Sequence, residues 1–153
     1  MRISHCITTI FLIAGSLAYS QNQTLKRSLN LNDAGVAIKG YDPVSYFGGT
    51  ANEGSKEFST SSEGAIYYFS SSANRDTFKA NPGKYTPQYG GWCAYAMGES
   101  GEKVKIDPET FKILDGKLYL FYNFWGNNTL DDWNKAEKKL REAGNQNWAK
   151  IAR

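Results

Sequence analysis

The chain has 153 residues, with 18 lysines and arginines against 15 aspartates and glutamates and 14% aromatic side chains. A net charge of +3, interspersed along the sequence, is too weak to be the electrostatic footprint of a nucleic-acid or anionic-membrane binder. The aromatic content argues against disorder, and the length suits one domain with its own core.

Residues 1–20 have the pattern of an export signal. Arg2 supplies a positive start, and residues 7–18 (ITTIFLIAGSLA) form an apolar run too short for a comfortable membrane span. Ala18-Tyr19-Ser20 then sets small residues where a signal peptidase reads, so cleavage is expected before Gln21. The expected product is periplasmic or extracellular, with no membrane span in the mature chain. No cysteine stands at the cleavage point, so no lipid anchor is expected. Cleavage also removes His5, Cys6 and Met1, leaving Cys93 and Met97 as the only cysteine and methionine. Without histidine there is no Ser-His-Asp or Cys-His dyad and no histidine zinc site. One cysteine makes neither a CxxC pair nor an intramolecular disulfide.

Residues 21–35 read as an N-terminal tail and 36–153 as the domain. Residues 36–38 (VAI) read as a short strand, broken by Gly40-Tyr41-Asp42-Pro43, and residues 44–47 as a brief helical turn. Residues 56–61 and 65–70, joined through Ser62-Glu63-Gly64, read as a β-hairpin. Ser71 or Ser72 is placed to cap a helix from about Ala73, which must stop by Asn81 before Pro82. Three more strands are expected at 104–106, 110–114 and 118–122, the last two joined by the hairpin dipeptide Asp115-Gly116. Finally, Thr129 as cap and Asp132 at the capping-box position open a helix reaching Gly144. Its face of Trp133, Ala136, Leu140 and Ala143 is amphipathic. The carboxylate pairs Asp131/Asp132 and Glu99/Glu102 read as a helix start and a solvated turn. The fold class that follows is α+β: a small single domain of antiparallel hairpins, short helices and a C-terminal amphipathic helix.

Chemistry concentrates on "QYGGWCAY", residues 88–95. Gly90-Gly91 permit positive φ or a close backbone approach, which suits a turn presenting Cys93. Thiolate and thioether select soft ions such as Cu(I). If residues 92–97 are helical, Cys93 and Met97 share a face and can both be ligands. The plain alternative is a buried cysteine and a core methionine. The tyrosines likewise either fill the core or line a groove.

Several stretches together resemble the YHS-domain proteins: "GYDPVSYF" (40–47), "YYFSSSANRDTFKANPGKY" (67–85) and "QYGGWCAY". "VKIDP" and "DGKLYLFYN" (115–123) resemble the exported, single-domain branch of that family. The resemblance implies a treble-clef-like, metal-associated module of the kind found beside copper-transport and oxygenase machinery. It also implies thiols at three positions where this sequence has Ser45, Ser70 and Asn74, which are poor ligands for soft ions. The usual metal site is therefore expected to be lost.

The leading expectation is an exported binding module handling a soft metal ion, copper first, through Cys93 and Met97. One alternative is a module for a small molecule or protein partner, with an aromatic groove floored by Tyr41, Asp42, Trp92 and Tyr95. Another is a thiol redox sensor or enzyme using Cys93. Catalysis is the less expected class, because no base or resolving thiol accompanies Cys93.

Overall fold

The computed structural model describes residues 28–152. The expected leader and the first part of the expected tail lie outside the described residues. The domain is α+β, as expected. Its elements run β1 (Ser55–Ser62), β2 (Ala65–Phe69), α1 (Ser72–Ala80), α2 (Pro82–Tyr85) and α3 (Ala94–Glu99). They continue with β3 (Asp107–Leu114), β4 (Lys117–Phe121), β5 (Asn123–Phe124), β6 (Asn127–Asn128), α4 (Thr129–Lys135) and α5 (Glu137–Ile151). The treble-clef likeness rests on the resemblance alone.

The strands form three antiparallel hairpins, β1–β2, β3–β4 and β5–β6. Each closes through a two-residue turn whose second member is glycine, with both members at positive φ: Glu63-Gly64 (48° and 85°), Asp115-Gly116 (50° and 70°) and Trp125-Gly126 (51° and 78°). Positive φ at both central residues gives the turn twist that matches paired strands. The first two turns are where the sequence places them. The third is unexpected, because tryptophan is no turn former.

Two expected strands do not form. Val36 makes a single parallel bridge to Ile66, and the chain then enters a left-handed turn at Ile38. Val104 pairs with no strand; its carbonyl accepts the Cys93 amide at 2.9 Å. The segment from Ser28, expected as tail, is bound into the domain: the Asn30 amide donates to the Gly90 carbonyl at 2.9 Å, and its side chain to the Gly91 carbonyl at 2.9 Å.

Strand β4 organises the core. Its sequence, KLYLF, is buried from Leu118 to Phe121. Alternate side chains point to opposite faces, so Leu118 and Leu120 join one cluster, with Tyr46, Phe69, Phe78 and Ile106. Tyr119 and Phe121 join a second, with Met97, Trp133 and Leu140. Each fully buried large side chain contributes roughly 1.5–3 kcal/mol of apolar burial.

Ser71 caps α1, its side chain accepting the Asn74 amide at 3.1 Å. The C-terminal helix departs from expectation in three ways. Asn128 is the cap, accepting the Leu130 amide at 3.1 Å, while the Thr129 hydroxyl donates to the Tyr122 carbonyl at 2.9 Å. Ala136 (φ −142°, ψ 31°) breaks the helix into α4 and α5 and becomes exposed, so only Trp133 and Leu140 of the expected face are fully buried. Gly144 does not end the helix, which runs on to Ile151. A Cβ at Gly144 would fall 2.9 Å from the Tyr89 ring, so the glycine admits that ring against α5.

Candidate functional site

Cys93 stands just before α3 and is 0% exposed. Its Sγ lies 3.4 Å from Thr129 Oγ1 and accepts the Tyr122 amide at 3.4 Å. Because the Thr129 hydroxyl hydrogen is given to Tyr122, the thiol is the donor in the Cys93–Thr129 contact. Sγ is therefore engaged both as donor and as acceptor. Met97 is also 0% exposed, but it belongs to the second core cluster while Cys93 belongs to the first. Among the described residues, no group of three His, Cys, Asp or Glu side chains is arranged to hold a metal ion. A soft ion reaching Cys93 would have to part the core.

The three positions at which the resemblance implies thiols converge around one buried carboxylate. Asp42 is 0% exposed. Its Oδ2 accepts the Ser70 amide at 2.9 Å, the Ser70 hydroxyl at 2.7 Å and the Asn74 side-chain amide at 2.7 Å. Its Oδ1 accepts the Val44 amide at 2.8 Å. The Ser45 hydroxyl donates to the Asp42 carbonyl at 2.8 Å and accepts the Asn52 amide at 3.1 Å. Serine, serine and asparagine thus form a hydrogen-bonded knot that ties the 40–43 turn to β2 and α1. Buried polar groups persist when every partner is supplied, and this cluster supplies them internally.

The other expected groove residues are dispersed. Tyr41 bridges to Glu53, the Trp92 indole donates to the Ser28 carbonyl at 2.7 Å, and Tyr95 packs half-buried against both core clusters. A cleft on another part of the domain is lined by none of Tyr41, Asp42, Trp92 and Tyr95.

That cleft has a volume of about 190 Å³ and lies between the 29–31 segment, the β1–β2 turn, the Gln88–Gly91 turn and α5. Two left-handed turns of three residues build it: Ile38-Lys39-Gly40, with φ of 51°, 52° and 89°, and Tyr89-Gly90-Gly91, with φ of 55°, 61° and 83°. For the β-branched Ile38 this is a true outlier, and left-handed non-glycine residues cost roughly 1–3 kcal/mol each. Six non-glycine residues have positive φ among the described residues. Three of them, Ile38, Glu63 and Tyr89, line this one cleft. Gly90 is required here for space as well as for φ, since a Cβ would lie 2.5 Å from the Trp148 ring.

The cleft wall combines the rings of Tyr67, Tyr89 and Trp148 with the polar side chains of Asn30, Glu63, Thr86 and Gln88. Tyr89 turns its hydroxyl away, donating to the Asn145 side-chain oxygen at 3.0 Å, and so offers its ring. Tyr67 is 5% exposed, and its hydroxyl has no hydrogen-bond partner among the described residues. Burial, reinforced by the nearby Glu63 charge, pushes that hydroxyl well above the ordinary tyrosine range. The hydroxyl therefore stays protonated and can donate or accept.

Sequence reading isolated Gly90-Gly91 but attached them to Cys93, whereas their carbonyls and φ angles serve the cleft. Ile38, Glu63 and Trp148 carry no comparable signal, and Tyr67 and Tyr89 stand only among the tyrosines that either fill the core or line a groove. The available signal was weak: glycines following Ile38-Lys39 and Tyr89, and a glutamate where a hairpin turn prefers Asn or Asp. Set against family descriptions, curated proteins and solved structures, the chain matches none.

Proposed function

We propose that this chain is an exported, YHS-like module that binds a compact organic molecule in the cleft between its two left-handed turns. The observation that carries the reading is the concentration of backbone strain there. Strained non-glycine residues persist only when surrounding structure holds them, and they gather at binding and catalytic sites. Ile38, Glu63 and Tyr89 on one cleft, beside the largely buried Tyr67 side chain, form such a gathering. The volume is well below the roughly 300–1,000 Å³ of drug-sized sites, so the ligand is small. Support for the family resemblance comes from the meeting of Ser45, Ser70 and Asn74 around Asp42. That meeting replaces a metal site with hydrogen bonds and favours an organic ligand over copper.

The test is a screen of small fragments against the isotope-labelled protein by amide chemical shift. Hits are expected to move Ile38, Tyr67, Gly90 and Gly91 together. Hits confined to other surfaces, or none from a diverse set, would overturn the reading.

A further inference from the structure

Resting on that cleft as the binding site, we infer that its ligand is a small organic cation, a quaternary or primary ammonium compound, held by Glu63 against the rings of Tyr67, Tyr89 and Trp148. Three observations carry this. First, Glu63 is the one charged residue in the lining, with no lysine or arginine beside it. The cleft is thus locally negative on a chain whose net charge is +3. Clefts that focus one sign of charge raise the local concentration of opposite ions. Second, three aromatic side chains face the same space. The faces of such rings attract a desolvated cation, and aromatic walls around an ammonium group are a recurring use of that attraction. Third, the backbone at Glu63 is held in the left-handed region. It occupies the first central position of the β1–β2 turn at φ 48°, where Asn, Asp or Gly would sit without strain. The turn gains nothing from glutamate, whereas a cation in the cleft gains a carboxylate at its rim.

Besides Glu63 the lining carries the uncharged side chains of Asn30, Thr86 and Gln88, none of which repels a cation. The Gly90 and Gly91 carbonyls are occupied by Asn30, so they do not compete for it. The Tyr67 hydroxyl, unbonded among the described residues, can accept from an ammonium N–H or bond a polar tail. An anion would meet Glu63 with no compensating positive charge, and a neutral apolar ligand would leave that carboxylate unused.

The probes are choline and its uncharged isostere 3,3-dimethyl-1-butanol, titrated into the labelled protein at low salt and followed at the cleft amides. Choline is expected to bind at least about fivefold more tightly than the isostere. Glu63→Gln, a change on an exposed turn, is expected to remove most of that preference, and added salt to weaken it. Tyr67→Phe keeps the ring and is expected to keep the preference. Equal binding of choline and isostere, a preference that survives Glu63→Gln, or no binding of choline would each overturn the cation assignment. If uncharged or anionic fragments still move the cleft amides, the cleft remains a binding site with a different ligand. If nothing moves them, both readings fall.

Discussion

Asn74 donates its side-chain amide to Asp42 Oδ2 at 2.7 Å, joining helix α1 to a turn 32 residues earlier in the chain. Two further donors from Ser70 converge on the same oxygen. Removing the carboxylate therefore strands four donors, two of them backbone amides, in or beside the core. Each unsatisfied buried group costs about 1–3 kcal/mol, less where water can reach it. Asp42→Ala is expected to lower the urea-unfolding free energy by about 2–4 kcal/mol. Asn74→Ala, which removes a single half-buried donor, is expected to cost about 1 kcal/mol. Equal small losses in both variants would show that the knot is not a stabilising centre.

The burial of Cys93 makes an equally direct prediction. A thiol reacts as thiolate and only where reagent can reach it. With Sγ enclosed and bonded to Tyr122 and Thr129, reaction with a disulfide reagent in the native protein must wait for opening. It is expected to be roughly a hundredfold slower than in urea. Cu(I) is expected to be left with a competing chelator for the same reason. Cys93→Ala is expected to cost about 1–2 kcal/mol and to leave fragment binding in the cleft unchanged. Rapid native labelling, or Cu(I) retention lost in Cys93→Ala, would return the thiol to the centre of the function.

How far these features were legible follows from the range over which their causes act. The Asp115-Gly116 turn and the Ser71 cap are local: each is set by residues within a few positions, and each was readable. The left-handed turn at Ile38 was not, because "VAI" has strand propensity and the turn is imposed by Gly35 and Ala37 bonding to Ile66. Gly144 looked like a helix end, and only the Tyr89 ring, 55 positions away in sequence by residue number, explains it. Strand β4 is apolar on both faces, so its pattern gave no hint that its side chains serve two clusters. The cleft has the same character. Its walls come from segments around residues 30, 38, 63–67, 86–91 and 148, and nothing in any one of them announces the others. Cys93 was conspicuous by rarity, which is a property of composition rather than of position.

Trp125 gives a prediction about the β5–β6 hairpin. It is 96% exposed and sits at φ 51° before Gly126. Asn-Gly is the preferred pair for such a turn, since asparagine tolerates the left-handed region that costs other residues about 1–2 kcal/mol. Trp125→Asn loses almost no burial and is expected to stabilise the protein by about 0.5–1 kcal/mol, raising Tm by about 2–4 °C. The Lys39 ammonium, 5.0 Å from the Phe124 ring centre, is untouched by this change. A fall in Tm would mean that the indole makes a stabilising contact that its exposure conceals.

Glu137 supplies the pH dependence. Its carboxylate accepts from the Lys112 ammonium and from the Trp133 indole N–H, the latter at 3.2 Å. The Lys112 hydrogen bond, with that ammonium's charge and the indole, holds the carboxyl below its ordinary value of 4.5 against partial desolvation, which pushes the other way. A carboxyl depressed in the folded state adds stability that is present above its unfolded value and is lost as pH falls through the folded value. The contribution is therefore complete at pH 7 and declines below about pH 4.5. The two side chains are 28% and 32% exposed, so screening limits it to about 0.5–1 kcal/mol. Glu137→Gln keeps an oxygen for the buried Trp133 indole while removing the charge. It is expected to lower the urea midpoint at pH 7 and to converge on the parent protein at the acid end of the titration, once the pH has fallen through the folded-state value and the parent's carboxyl has taken up its proton. A deficit of the same size at pH 7 and at the acid end would assign the loss to altered packing at the α4–α5 break rather than to the ion pair.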